Sequence, residues 1–187
     1  MSSPTAVGIY SQPVRLLAEL VSESTAFRAR VGGTVGWTRA QGISNLLDST
    51  GAAKKIHIPI VDAYEYLTTT NALLLGSTLA IVYGENGSSS MEFTGVRHFL
   101  RQQGAITLLL FAQPVAPYDT EDEASYFDCA NFFGGVIEQI EALAALDDRL
   151  TIRGREDLQQ CSPPSVLEKI GAKANWWMNA TRWQWGG

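Results

Sequence analysis

The residues able to do chemistry are few and scattered. The chain of 187 residues holds two histidines, His57 and His98, and two cysteines, Cys129 and Cys161. His57 alternates with isoleucines, and His98 stands between Arg97 and Phe99. Neither has a local metal-ligand or triad partner, so both read as structural or surface histidines. The cysteines form no CxxC and have no histidine at ligand spacing. They read as two reduced thiols, one on a helix and one before a loop. Asp119, Glu121, Asp122 and Glu123 crowd together as a cation site would, but without the twelve-residue calcium-loop pattern; stabilisation of a helix N-terminus explains them. Gly84-Glu-Asn-Gly87 is neither a P-loop nor a dinucleotide fingerprint and reads as a hairpin loop. Asn179-Ala-Thr181 matches a glycosylation sequon but lies in an apolar run, and reads as a chance match. The expectation is a chain without catalytic, metal or cofactor-binding residues.

Composition narrows the class. With 45% hydrophobic and 18% charged residues, the chain can bury a real core as one α+β domain spanning 1–187, with long connections at about 34–53 and 157–172. Its net charge of −5, with Lys54-Lys55 the only basic cluster, argues against binding nucleic acid through phosphate neutralisation. No run reaches the ~18 apolar residues of a membrane span, and the N-terminus lacks a signal-peptide pattern, which implies an aqueous, cytosol-like compartment and no membrane partner.

These residues must be positioned by elements that the apolar periodicity outlines. Val14, Leu17, Leu20, Val21, Phe27 and Val31 are spaced as one amphipathic helix from Ser11, with Pro13 in its first turn and Gly32-Gly33 at its end. Thr34 to Ala53 reads as an irregular connection with a helical turn near Ile43 to Leu47. Ile56 to Val61 alternates as a strand, which Pro59 assigns to a sheet edge. Leu79 to Tyr83 is a second strand, closed by the turn-rich 84–90 segment. Met91 to Arg101 is a third, joined by Gln102-Gln103-Gly104 to Ala105 to Phe111, the most apolar run and the expected sheet centre. Thr120 and Glu123 form a capping box for a second helix, on which Phe127, Ala130, Phe133, Ile137, Ile140 and Ala144 share a face. Gly134-Gly135 within it suggests close approach to the sheet. Leu150 to Gly154 starts another strand, and Cys161 to Ser165 is an excursion. The order predicts an α+β fold: a mainly antiparallel sheet with two amphipathic helices packed on one face and a tryptophan-rich C-terminal strand.

That last strand holds four of the five tryptophans: Trp176, Trp177, Trp183 and Trp185. Alternation places Trp177, Trp183 and Trp185 on one face and Trp176 on the other. Each buried ring removes roughly 150–250 Å² from water, so both faces demand cover. Either the helices cover the three-ring face and leave Trp176 outside, or another subunit covers it.

The order of elements, from the Val14 to Val31 helix through the Ile56 to Phe111 strands and the Thr120 to Leu146 helix to the ending Arg182-Trp-Gln-Trp-Gly-Gly187, resembles the tail terminator and tail completion proteins of long-tailed bacteriophages and the related neck proteins. The long connections depart from simple members of that group. The resemblance implies a non-enzymatic virion protein, assembled in the host cytoplasm, that forms a homo-oligomeric ring, commonly a hexamer. The ring would terminate the tail tube and join it to the head connector or stopper protein, with DNA only passing through the lumen. An acidic subunit without a basic patch suits such a lumen. Trp177, Trp183 and Trp185 are the expected interface anchors, with Glu85, Asn86, Tyr118 and Asp119 in the 84–90 and 113–119 loops as further contacts. The alternatives are another neck or head-completion protein, or a small-molecule-binding or hydrolytic α+β domain with a pocket lined by the tryptophans.

Overall fold

The computed structural model describes residues 7–32, 37–40, 58–61, 77–84, 88–94, 97–115, 123–149, 151–163 and 176–186. The helices are α1 (Val7–Glu23), α2 (Thr25–Val31) and α3 (Glu123–Leu146). The strands are β1 (Trp37–Ala40), β2 (Ile58–Val61), β3 (Thr78–Gly84), β4 (Ser88–Thr94), β5 (Arg97–Ala112), β6 (Ile152–Ser162) and β7 (Trp177–Gly186). They form one seven-stranded sheet in the order β1-β2-β3-β5-β7-β6, with β4 also paired to β5. Its β3–β5, β4–β5, β5–β7 and β6–β7 pairs are antiparallel, and the β1–β2 and β2–β3 pairs are parallel. The fold is the expected α+β arrangement of helices on a mainly antiparallel sheet with a tryptophan-containing C-terminal strand. No described helix is long and apolar enough to cross a membrane.

The most apolar run is central, as its composition predicts. In β5, Ile106, Leu108, Leu110 and Ala112 join the core beneath the helices, and Leu109 and Phe111 on the opposite face are buried too. The register aligns Val82 with Leu108 and Leu108 with Thr181, so β3, β5 and β7 present one continuous face to the helices. Val14, Leu17 and Val21 of α1 and Phe133, Val136 and Ile140 of α3 pack onto that layer.

Several elements differ from their sequence reading. The first helix extends back to Val7, so Pro13 lies inside it. It then breaks at Ser24, giving three helices among the described residues where two were expected. Ser24 leaves helical geometry at φ −58°, ψ 120° because its Oγ accepts the Phe27 N–H and caps α2. The Ser24 hydroxyl and the Ala26 N–H both donate to Gln139 Oε1, at 2.7 and 3.0 Å, pinning the joint to α3. Gly32 closes α2 in the left-handed region at φ 83°, as expected of a glycine stop. Pro59 does not mark a sheet edge: β1, from a segment read as irregular, pairs with β2 and places Thr38 opposite Pro59. A proline removes one N–H donor, and a four-residue strand can still be flanked on both sides.

The 84–90 segment is not the hairpin turn, and Gln102-Gln103-Gly104 is not a junction. β5 runs unbroken through all 16 residues, and the tight connection joins Thr94 to Arg97. Gly84 pairs with Ile106 and Ser88 with Gln103, so four steps on one strand oppose three on the other. β3 and β4 therefore both pair along the same side of β5, opposite β7, with residues 85–87 between them outside the described residues. β6 also continues past Asp157 to Ser162, where a long connection was expected; its polar edge-strand sequence lacks clean alternation, and its pairing with β7 absorbs three register irregularities. α3 begins at Glu123, while Thr120 and the Ile43 to Leu47 turn lie outside the described residues.

Candidate interaction surface

The tryptophans are held within the chain. Trp177, Trp183 and Trp185 lie on the helix-covered face with exposures of 8%, 0% and 9%, and Trp176 on the other face is buried as well. The Trp183 indole N–H donates to Thr181 Oγ1 at 2.9 Å, and that of Trp177 to Ser125 Oγ on α3 at 3.0 Å. Trp185 lies over Gly104, its register partner, where an added Cβ would fall 2.9 Å from the indole. Of the two alternatives left by alternation, the helices provide the cover, and Trp176 is not left outside. Docking directly through these three rings would require opening the core that buries them.

Among the described residues, large apolar side chains are exposed at Leu146, the last residue of α3 (87%), at Leu158 of β6 and around the start of α3. Val115 is 74% and Phe127 51% exposed, with Tyr126 beside them also exposed. Phe127 was expected on the buried face; that face is formed by Ser125, Cys129, Phe132, Phe133, Val136, Ile137, Ile140 and Ala144, which leaves Phe127 pointing away from it. Tyr126 bridges surface and core, with an edge-on contact to Phe127 at 5.4 Å between ring centres and another to Trp177 at 5.6 Å. Trp177 therefore backs this surface from below.

An ion pair fixes the surface to the fold. Arg30, at the end of α2, reaches Asp128 through Nη1 at 3.2 Å and Nη2 at 2.7 Å. Its Nη2 also donates to the Gln113 carbonyl at 2.7 Å, and the Val115 N–H donates to Asp128 Oδ2 at 3.1 Å. The guanidinium lies 5.0 Å from the centre of the Phe132 ring. Paired, two-point recognition of this kind fixes geometry as well as charge. Burial raises the Asp128 pKa, but the Arg30 hydrogen bonds, the Val115 amide and the Arg30 charge outweigh it, and the net shift is downward. Segment 113–115, α2 and α3 are thereby locked together under the exposed side chains.

The cysteines offer no nucleophile. Burial pushes Cys129 up to about 11 and Cys161 up to about 12. Cys129 is on α3 as expected, and Cys161 is the penultimate residue of β6; both are free thiols. Asn179 and Thr181 of the sequon face the core and are buried. Among the described residues, no group of three or more His, Cys, Asp or Glu side chains could hold a metal ion. Glu85, Asn86, Tyr118, Asp119 and His57 lie outside the described residues, and His98 pairs with Phe93 in the β4–β5 ladder. Of the expected contact segments, 113–119 is the one whose described part reaches the exposed surface, through Val115. Sequence periodicity missed Tyr126 and Phe127; the signal available was the aromatic pair placed one turn from the acidic start of a helix.

Comparison with protein-family models and with curated proteins finds no match for this chain.

Proposed function

We propose that this chain is a structural subunit of a tailed bacteriophage particle, forming a homo-oligomeric ring at the head–tail junction that terminates the tail tube and joins it to the connector. The resemblance in element order supplies the setting. The observation that carries an assembly role is the exposed Val115, Tyr126 and Phe127 surface, clamped by Arg30 and Asp128 onto a rigid sandwich. Apolar side chains held on rigid elements suit protein–protein contact, which works by complementarity rather than by chemistry. The contact anchors in this reading are Phe127, Tyr126 and Val115, and Trp177 acts beneath them as support.

Size-exclusion chromatography with light scattering tests it, first on the chain alone at micromolar concentration and then with tail tube protein. A ring-sized mass in either case supports the proposal. A mass that stays at 20.3 kDa in both overturns it.

A further inference from the structure

Two thiols lie close together where the end of β6 reaches the first turns of α3. Cys161, the penultimate residue of β6, donates from Sγ to the Tyr126 carbonyl at 3.8 Å. Cys129 follows Tyr126 by three residues, about 4.5 Å along the helix axis at ~1.5 Å per residue. The sheet brings both thiols to the same level independently. Cys129 Sγ donates to the Ala112 carbonyl on β5 at 3.9 Å; Ala112 pairs with Trp177 on β7, and the next residue, Met178, pairs with Ser162 beside Cys161. Cys129 belongs to the buried cluster and Cys161 packs against it. After burial, the neighbouring Cys129 is the second cause of the raised Cys161 pKa.

The position of Cys161 is not set by a regular ladder. The β6–β7 register shifts between Gln159 and Ser162, so Cys161 sits in an irregular stretch. A residue outside regular pairing can adjust to the narrow geometry that a disulfide requires. On the other side of the pair, Arg30 Nη2 lies 3.8 Å from Cys129 Sγ, a cation that favours the thiolate there.

We infer that Cys129 and Cys161 are a redox pair, which a small-molecule disulfide oxidises to one intramolecular disulfide linking the end of β6 to α3. The half-buried Cys161 reacts first. It gives its proton to water, its thiolate attacks one sulfur of the reagent, and the reagent's S–S bond breaks to release one thiolate. The Cys129 thiolate, its proton likewise lost to water, then attacks Cys161 Sγ and expels the second. The two protein thiols have lost two electrons and two protons, and the reagent has become two thiols. Buried thiols of raised pKa hold little thiolate and exchange slowly, so the bond is a slow lock and not a catalytic couple. It closes a loop of roughly 30 residues and fastens β6 to the turn that carries Tyr126. It does not depend on the assembly reading.

The test is native incubation of the unmodified chain with oxidised glutathione at pH 8, then alkylation in denaturant and mass analysis without reductant. The expected product is a single chain lighter by two hydrogens that takes up no alkyl group and yields the Cys129 and Cys161 peptides linked. Its unfolding equilibrium constant in urea should fall at least about tenfold and recover with reductant; neither readout needs a variant. Cys129→Ala should stop at a glutathione mixed disulfide on Cys161, and Cys161→Ser should react far more slowly. Two alkylated thiols after native incubation, glutathione on both cysteines without the link, bonds between chains, or a link that forms in urea alone would each overturn the pair. A linked chain no more stable than the reduced one would overturn the lock.

Discussion

At the scale of single residues, the Arg30–Asp128 pair is the most consequential contact. Arg30 Nη2 holds a carboxylate and a backbone carbonyl at once, and Asp128 returns a bond to the Val115 amide. Arg30→Met leaves a partly buried carboxylate unpaired, and should lower unfolding free energy in urea by about 3 kcal/mol, the low end for a broken buried pair, because Asp128 keeps some access to water. The pH dependence follows from the depressed Asp128 pKa. The pair's contribution is full above the unfolded carboxyl pKa of about 3.9 and is lost as the pH falls through the lower folded value. Acid titration of unfolding should therefore show a loss in the unmodified chain that Arg30→Met lacks. Cys129 and Cys161 titrate in the opposite sense. Their pKa values are raised, so their contribution is present below the unfolded thiol pKa of about 8.5 and is lost as the pH rises through about 11 and about 12. At pH 8 a thiol reagent should label the buried Cys129 far more slowly in the native chain than in denaturant, with the half-buried Cys161 reacting first; rapid native labelling of Cys129 would contradict its burial.

At the scale of elements, the glycines separate two kinds of constraint. The paired glycines of α3 were expected to admit the sheet, yet Gly135 faces Ala26 of α2 at 3.7 Å and Gly134 faces open space. Gly134→Ala should therefore raise stability by about 1 kcal/mol through helix propensity alone, read as a shift in the urea midpoint. Gly104→Ala should cost about 1–3 kcal/mol by overpacking, because its Cβ would meet the Trp185 indole at 2.9 Å. What the sequence made legible divides along the same physical line. β3, β5, β7 and most of α3 follow from apolar runs and periodicity, because burial selects those patterns. The parallel pairing of β1 with β2 was not legible, since pairing depends on partners far along the chain. The α1–α2 break depends on Gln139, 115 residues from Ser24. The exposed surface was missed because Phe127 was placed by its spacing on the face of Ala130, Phe133 and Ile140; its helical phase differs from that of Phe133 and Ile140. Burial of the tryptophans by the chain's own helices was not legible either, because alternation fixes which face a ring occupies but not which layer covers it.

At the scale of the whole molecule, the core beneath the helices is continuous across β3, β5 and β7. In the assembly reading, the ionic share of a contact between copies should weaken between about 0.1 M and 1 M salt, over which the screening length falls from about 10 Å to about 3 Å. Sedimentation at the two salt concentrations reads this directly. The apolar share of the contact is insensitive to screening, so Phe127→Ala should weaken association at both concentrations. Equal association of the unmodified chain at both would assign the contact to apolar burial alone.

The unbroken 16-residue course of β5 has a mechanical meaning. β3 and β4 lie along one side of it, β7 along the other, and antiparallel hydrogen bonds run perpendicular to the strands. A pull applied between its two ends loads those bonds together in shear instead of peeling them one at a time. β5 is in that sense a tie rod through the subunit, and would carry axial tension through backbone ladders rather than through side-chain packing.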